Sequence, residues 1–225
     1  MSPTQLHPVL KHLRHLVVTG HVADLDDGQL LQLFARTRDE YAFGALVQRH
    51  GPLVHSVCRR VLGPGPDLED VFQATFLVLA RKARSIRKAA SVGSWLHGVA
   101  LRQALHLKAQ LGRRHEGTLE AVTVIDRDRR SDPVARATLS ELGAILDQEV
   151  QRLPARYRDA VLLCHLEGLS TAEAAVRLGC PSGTLKSRLV KARELLRTRL
   201  LRRSVALSVT ALAVVFADGA AVAAV

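Results

Sequence analysis

Hydroxyl and cationic side chains repeat at helical spacing near the end of the chain. Thr184, Ser187, Arg188 and Lys191 stand at positions i, i+3, i+4 and i+7, which places them on one face of a helix. Small hydroxyls near a helix N-terminus allow close approach to a phosphate or a base edge, and the longer cations reach phosphates and guanines. This pattern predicts a nucleic-acid contact. Its candidate residues are Ser182, Thr184, Lys186, Ser187, Arg188, Lys191 and Arg193.

The residues before this face predict a helix-turn-helix. Ser170 and Glu173 form the pattern of a capping box, which begins a short helix. Gly179 is suited to a left-handed cap, and Pro181 favours a turn before a second helix that begins near Ser182. A helix held in this way fits the major groove of DNA. The alternative at this stage is an ordinary amphipathic helical hairpin.

A second cationic segment lies earlier in the chain, beside an acidic one. Residues 81–114 contain nine Lys or Arg and no Asp or Glu, whereas eight acidic residues fall within 24–70. We expect Asp67 to cap a helix whose apolar stripe is buried. The opposite face of that helix carries Glu69, Asp70, Gln73 and Leu77. An acidic surface repels DNA, so this face suits a protein partner.

Composition indicates a helical protein with a polyanionic partner. The chain has 225 residues, a formal net charge of +11 and 48% hydrophobic residues, which excludes a disordered polyelectrolyte. β-Branched and aromatic runs bounded by turns are scarce, which argues against an all-β fold. Three scattered cysteines form no disulfide framework, and the first 20 residues lack the apolar core of a secretory signal. Both observations favour a reducing compartment, the cytoplasm.

Apolar periodicity predicts helices nearly throughout. Gly51 and Pro52 are expected to bend or restart the second of them. Pro154 suits the start of a further helix after the fifth. The predicted helices are 27–34, 40–62, one that follows 63–66, 94–111 and 134–153, followed by the two of the helix-turn-helix.

The sequence disfavours two other kinds of chemistry, enzymatic catalysis and metal binding. No nucleophile elbow, phosphate-binding loop with its lysine or HExxH metalloprotease pattern occurs in the sequence, so no catalytic residue and no cofactor are predicted. His50, His55 and Cys58 could be considered as zinc ligands, but their spacing does not place all three on one helix face.

Taken together, the motifs resemble the extracytoplasmic-function (ECF) sigma factors of bacterial RNA polymerase, in the sigma-70 family. The resemblance covers roughly residues 24–203. The segment Asp70-x-x-Gln73-x-x-Phe76, followed by Trp95-Leu96-x-x-Val99-Ala100 and then by the helix-turn-helix, is highly specific. It implies an all-α fold of two small helical domains, a region 2 bundle and a region 4 helix-turn-helix, joined by a flexible linker and followed by an apolar C-terminal tail.

The resemblance also implies partners and residue roles. Region 4 binds the −35 promoter element and the β flap, and the Asp70 face docks on the β′ clamp helices of core polymerase. The −10 element is assigned to residues 81–107, with Arg84, Arg87, Lys88, Trp95 and Arg102 as candidates. The function implied is promoter-specific transcription initiation, and an anti-sigma partner is left open. The alternative is a helix-turn-helix regulator that does not bind core polymerase.

These features divide the chain into five segments. They are an N-terminal arm over 1–23, a first module over 24–112, a linker over 113–138, a second module over 139–203 and a tail over 204–225. The tail has 22 residues with Asp218 as its one charge and follows several arginines. Its length suits a membrane segment. The free-energy cost of placing the Asp218 carboxylate inside a bilayer favours instead a tail that packs on protein or is partly disordered.

Overall fold

The computed structural model describes residues 22, 24–86, 92–116 and 133–203, and the side chains of 114–116 and 133–140 are not among those described. The arm before residue 22, most of the linker and the tail lie outside these ranges, as do Arg87 and Lys88. All the described elements are helical. They are α1 (Asp27–Thr37), α2 (Glu40–Leu62), α3 (Pro66–Lys82), a 3₁₀ turn (Ala83–Ser85), α4 (Val92–Glu116), α5 (Pro133–Gln151), α6 (Ala155–Val161), a π turn (Leu162–Leu166), α7 (Thr171–Arg177) and α8 (Ser182–Arg202).

Local sequence explains where the helices of the first module begin. Asp26 caps α1 in a capping box with Gln29, and the Asp39 side chain accepts a hydrogen bond from the Ala42 amide at the start of α2. The predicted cap at Asp67 is wrong. Helix α3 instead begins at Pro66, because proline needs no amide partner in the first turn, and Asp67 lies inside that turn.

Helix α2 runs through Gly51 and Pro52 as one element, so of the two expected outcomes, a bend or a restart, the restart is wrong. An internal proline removes one helical hydrogen bond. Here the cost is offset by packing on both sides of it, since Leu46, Val54 and Val57 are fully buried. Helix α2 is the centre of the first module and packs against α1, α3 and α4.

Helices α5 to α8 form the second module around a separate apolar cluster that includes Leu162, Leu185 and Leu196. Helix α4 extends to Glu116 and α5 begins at Pro133, so both ends of the predicted linker are helical. The expected capping box at Ser170 and the left-handed Gly179, with a φ of 58°, are confirmed.

The two modules pack directly against each other. Leu53 belongs to helix α2 of the first module, yet it is buried in the apolar cluster of the second. Ala144 belongs to α5 of the second module, yet it is buried in the cluster of the first. Each core therefore contains one side chain from its neighbour, and helices α2 and α4 contact α5.

Candidate nucleic-acid and polymerase interfaces

The second helix of the helix-turn-helix has the two faces that the sequence predicts. Leu185, Leu189, Ala192 and Leu196 are buried against the second module. The opposite face lies in solvent: the exposed candidates are Ser182, Thr184, Lys186, Ser187, Lys191 and Arg193, and Arg188 is half-buried. The structure thus brings all seven predicted residues onto the accessible side of α8.

Some of these side chains already have partners within the protein. The Ser187 hydroxyl donates to the carbonyl of Gly183 at 3.0 Å, and the Lys191 ammonium donates to Glu194 at 2.8 Å. The hydrogen bond and charge of Glu194 raise the pKa of Lys191 above its ordinary value. Arg188 contacts the sulfur of Cys180 at 3.7 Å, which links α8 to the turn before it. No side chain caps the N-terminus of α8.

The acidic face of α3 is also open to solvent. Glu69, Asp70 and Gln73 are exposed, and the Leu77 side chain is 57% exposed despite being apolar. These four residues share one side of the helix, while Leu68 and Leu79 are buried on the other. An exposed leucine among carboxylates has the mixed character of a protein-binding surface.

The described candidates for the −10 contact are spread over two elements. Arg84 is exposed in the 3₁₀ turn, where its Nε donates to the Ala35 carbonyl at 2.9 Å. Trp95 is half-buried and packs against the first core, while Arg102 is exposed two turns further along α4. Trp95 and Arg102 stand seven residues apart, which puts them on one side of the helix.

Sequence reasoning missed a set of buried charges between the modules. Asp27, at the start of α1, binds Arg49 at 2.7 Å and His50 at 2.9 Å, both on α2. The same carboxylate binds Arg177 of α7, which also pairs with Glu167 at 3.3 Å. No local pattern marks these residues, because the partners lie up to 150 positions apart.

The geometry of this set shifts the protonation of its members. Burial alone would raise the pKa of Asp27, but His50 and Arg177 outweigh it and hold that pKa well below its usual value. Burial would lower the pKa of His50, but the hydrogen bond to Asp27 and the negative charges of Asp27 and Glu167 raise it above 6.5. The imidazolium form is therefore favoured between two carboxylates.

A second buried set surrounds Asp147 of α5. The Arg60 guanidinium of α2 donates two hydrogen bonds to this carboxylate, of 2.8 and 2.9 Å, and His97 of α4 contacts it at 3.1 Å. Asp147 is 2% exposed. Burial would raise its pKa, but the Arg60 charge and His97 lower it, so the carboxylate stays ionised.

The residues considered for zinc have other roles. His50 contacts Asp27 and faces Glu167, as described above. Burial raises the pKa of the Cys58 thiol to about 12, which disfavours the thiolate that a metal requires. Within the described ranges, no three His, Cys, Asp or Glu side chains are grouped so that they could hold a metal ion.

Comparison with known proteins decides the family. The model of Sigma-70 region 2 matches residues 46–114, and the model of Sigma-70, region 4 matches residues 144–196. The ECF RNA polymerase sigma factor SigE of Mycolicibacterium smegmatis is 31% identical over 211 residues, covering 91% of this chain and 80% of that protein. The chain belongs to the ECF sigma factors of the sigma-70 family. The first module is region 2 and the second is region 4.

One more relative and one solved structure are also similar to this chain. The sigma factor SigM of Mycobacterium tuberculosis (strain H37Rv) is 34% identical over 156 residues, covering 69% of this chain and 75% of that protein. Among solved structures, CnrH in complex with the cytosolic domain of CnrY is 25% identical with a TM-score of 0.37, and the match covers 77% of this chain and 96% of CnrH.

Family membership confirms the function expected from the sequence. This sigma factor works with core RNA polymerase and promoter DNA and directs the initiation of transcription. The alternative, a helix-turn-helix regulator that does not bind polymerase, is not favoured. None of the helices in the described part of the chain combines the length and apolar character that a bilayer crossing requires.

Proposed function

We propose that this sigma factor divides its work between three surfaces. The polar face of α8 binds the −35 element, the acidic face of α3 binds the β′ clamp helices, and Arg84, Trp95 and Arg102 contribute to −10 recognition with Arg87 and Lys88. The observation that carries this proposal is the separation of charge. The cationic face of α8 and the acidic face of α3 are both exposed, and they lie on different modules.

Electrostatics gives each surface a different partner. Lys186, Lys191 and Arg193 on α8 can neutralise phosphates, which supplies salt-dependent affinity for DNA of any sequence. Thr184 and Arg188 stand near the start of α8, where a helix in the major groove meets base edges. Glu69 and Asp70 would repel the same phosphates, so their face is suited to a basic protein surface.

The chain then acts as a specificity subunit and performs no covalent chemistry. We propose the boundaries 24–112 for region 2 and 139–203 for region 4, with the β flap as the polymerase contact of region 4. Two weak promoter contacts joined by a linker reinforce each other, because the first raises the effective concentration of the second. Core polymerase fixes their separation, so only correctly spaced promoters satisfy both. This work belongs in the bacterial cytoplasm.

Run-off transcription with purified core polymerase tests the division of labour. Arg188→Ala removes one cation from the reading face and is expected to lower promoter-specific initiation about 5- to 100-fold, without changing core binding. Arg197→Ala is the matched control, since it removes the same charge from an exposed position on the opposite side of α8.

The converse variant addresses polymerase docking. Asp70→Ala is expected to weaken core binding in a pull-down or an anisotropy titration, while Asp24→Ala, another exposed carboxylate of region 2, leaves it unchanged. Equal loss of core binding in the Arg188 and Asp70 variants would contradict the assignment. Failure of the wild-type chain to confer start-site selection would overturn the function itself.

A further inference from the structure

Two arginines cross between the ends of helices α1 and α3. Arg38, directly after α1, donates from its guanidinium to the carbonyl oxygen of Ala80 in the last turn of α3. Arg84, in the 3₁₀ turn after α3, donates from Nε to the carbonyl oxygen of Ala35 in the last turn of α1 at 2.9 Å. The last turn of a helix leaves carbonyls without an amide partner, and arginine side chains can satisfy them. Each helix end is therefore capped by a residue that follows the other helix.

Arg38 adopts a backbone conformation that favours glycine. Its φ is 58°, in the left-handed region, and among the residues that the structure describes it is the one non-glycine residue with a positive φ. Glycine adopts this conformation freely, whereas other residues keep it only where their surroundings determine it. The Arg38 guanidinium also lies over the Phe34 ring, 5.1 Å from its centroid, in a cation–π contact. The contacts of the side chain with Phe34 and Ala80 thus offset the cost of the left-handed corner.

The 3₁₀ turn leads directly into the residues proposed for −10 recognition. Within it, the Ser85 hydroxyl donates to the Lys82 carbonyl at 2.8 Å, which ties the turn to the end of α3. Ile86 follows the turn and packs, half-buried, against the region 2 core. Arg87 is the next residue of the chain. The turn is thus fixed to α1, to α3 and to the core immediately before the −10 candidates that follow it.

Arg84 and Arg36 share charge and location, but only one of them makes this cross-link. Both side chains are exposed, and both line an open groove of about 520 Å³ between α1 and the 3₁₀ turn. Arg84 reaches across to the carbonyl of Ala35, whereas Arg36 lies in the last turn of α1 itself. A role that depends on charge alone would be common to both arginines, and a role that depends on the cross-link would belong to Arg84.

We propose that Arg38 and Arg84 are positioning residues for −10 recognition, which hold the 3₁₀ turn so that the residues after it meet the promoter strand in a fixed geometry. In this assignment Arg84 contributes to recognition through the turn and not through a phosphate contact of its own. The inference rests on the proposed −10 role of region 2 and names two residues that serve it. One of them, Arg38, lies outside the segment 81–107.

Preorganisation explains how two such hydrogen bonds change the affinity for DNA. Binding costs free energy when it must order side chains and loops that move in the free protein. A turn that is already fixed has less freedom to lose when the strand binds. Removal of either hydrogen bond should weaken promoter binding by about 2- to 12-fold, the equilibrium equivalent of one net hydrogen bond. This loss should not depend on salt, because in this assignment neither arginine displaces a counterion from the DNA.

Salt titrations of the holoenzyme distinguish positioning from direct contact. The probe is a forked fragment of a promoter that the wild-type chain transcribes, duplex through the −35 element and single-stranded over the −10 element. Arg84→Ala and Arg38→Gly are expected to lower the affinity for this probe and to leave the slope of log K against log salt unchanged. Arg38→Gly removes the guanidinium and eases the backbone, since glycine suits a φ of 58°. Arg36→Ala is the matched control and should bind the probe as the wild type does.

Loss of a direct contact has a different signature. Arg102→Ala removes a proposed DNA contact and is expected to reduce the salt slope by about 0.7, the value for one phosphate on a single strand. The same reduction in Arg84→Ala would overturn the proposal, as would unchanged probe affinity in either Arg84→Ala or Arg38→Gly. Equal losses of core-polymerase binding in these two variants would also overturn it, because the arginines would then stabilise region 2 as a whole. Wild-type affinity and slope in Arg102→Ala would instead contradict the −10 assignment of the proposed function.

Discussion

Two leucines on helix α2 offer a test of how the cores are divided. Leu46 and Leu53 are 0% and 1% exposed, so both are fully buried on the same element. Leu46 packs within the region 2 core, whereas Leu53 packs within the region 4 core. Substitution of either by alanine removes the same atoms from two different places.

The expected cost can be worked out from burial. Deletion of a fully buried leucine side chain to alanine costs about 2–5 kcal/mol, from lost transfer free energy and the residual cavity. For Leu46→Ala this cost falls on the folding of region 2. For Leu53→Ala it falls on the contact between the regions, and the loss is limited to the free energy of that contact, because Leu53 is not part of the region 2 core.

Trp95 makes the assay selective. It is the one tryptophan of the chain and packs against the region 2 core, so its fluorescence reports the unfolding of that region. In urea, Leu46→Ala is expected to lower the midpoint of the Trp95 transition by about 1–3 M, given typical urea dependences of small domains. Leu53→Ala should shift that midpoint much less and instead speed amide exchange in peptide 93–101.

A comparison of the two variants can refute this reasoning. If Leu53→Ala lowers the urea midpoint of the Trp95 transition as much as Leu46→Ala does, Leu53 stabilises region 2 itself. Its place in the region 4 core would then contribute no separate free energy to the contact between the regions. If Leu53→Ala changes neither the midpoint nor the exchange rates, the contact contributes nothing in solution.

Two further predictions concern titration and capping. Because the pKa of His50 is raised above 6.5 and that of Asp27 is lowered below 3.8, their cluster stabilises the protein most between these two values. We therefore expect the urea midpoint to fall as pH rises above 6.5, and a His50→Gln variant to lack this slope; an unchanged slope in that variant would assign it to other groups. Ser170→Ala should lower the free energy of unfolding by about 1 kcal/mol, since the Ser170 hydroxyl accepts a hydrogen bond from the Glu173 amide at the start of α7. Thr198→Ala, a hydroxyl that bonds back within α8, serves as its control and should be nearly neutral in thermal unfolding.

Much of the fold follows from local signals in the sequence. The bounds of α2 agree with the prediction, as do the capping box at Ser170 and the buried stripe of α8, because caps and apolar spacing act within one turn. The error at Asp67 also has a local cause, since Gly65 and Pro66 start α3 before that carboxylate. Surface positions such as Asp70 and Arg188 were predictable for the same reason: helical periodicity assigns a face.

The buried charges could not be predicted in this way. Asp27 in a first turn and Arg177 in a last turn each look like ordinary partners of a helix dipole. Their contact depends on how the two regions pack, which no spacing within either one encodes. The same holds for Leu53, whose apolar position fits the stripe of α2 but not the core to which it belongs.

The pair between Lys191 and Glu194 has a consequence for the search along a chromosome. Under the proposed −35 contact, a duplex that binds Lys191 must compete with the carboxylate of Glu194, three residues along the same helix. Exposed pairs of this kind are weak, so a matched site with several other contacts overcomes the competition readily. Because Lys191 would contact a phosphate, which every sequence carries, Glu194 lowers the affinity for all sites by the same small factor and leaves the discrimination between them unchanged.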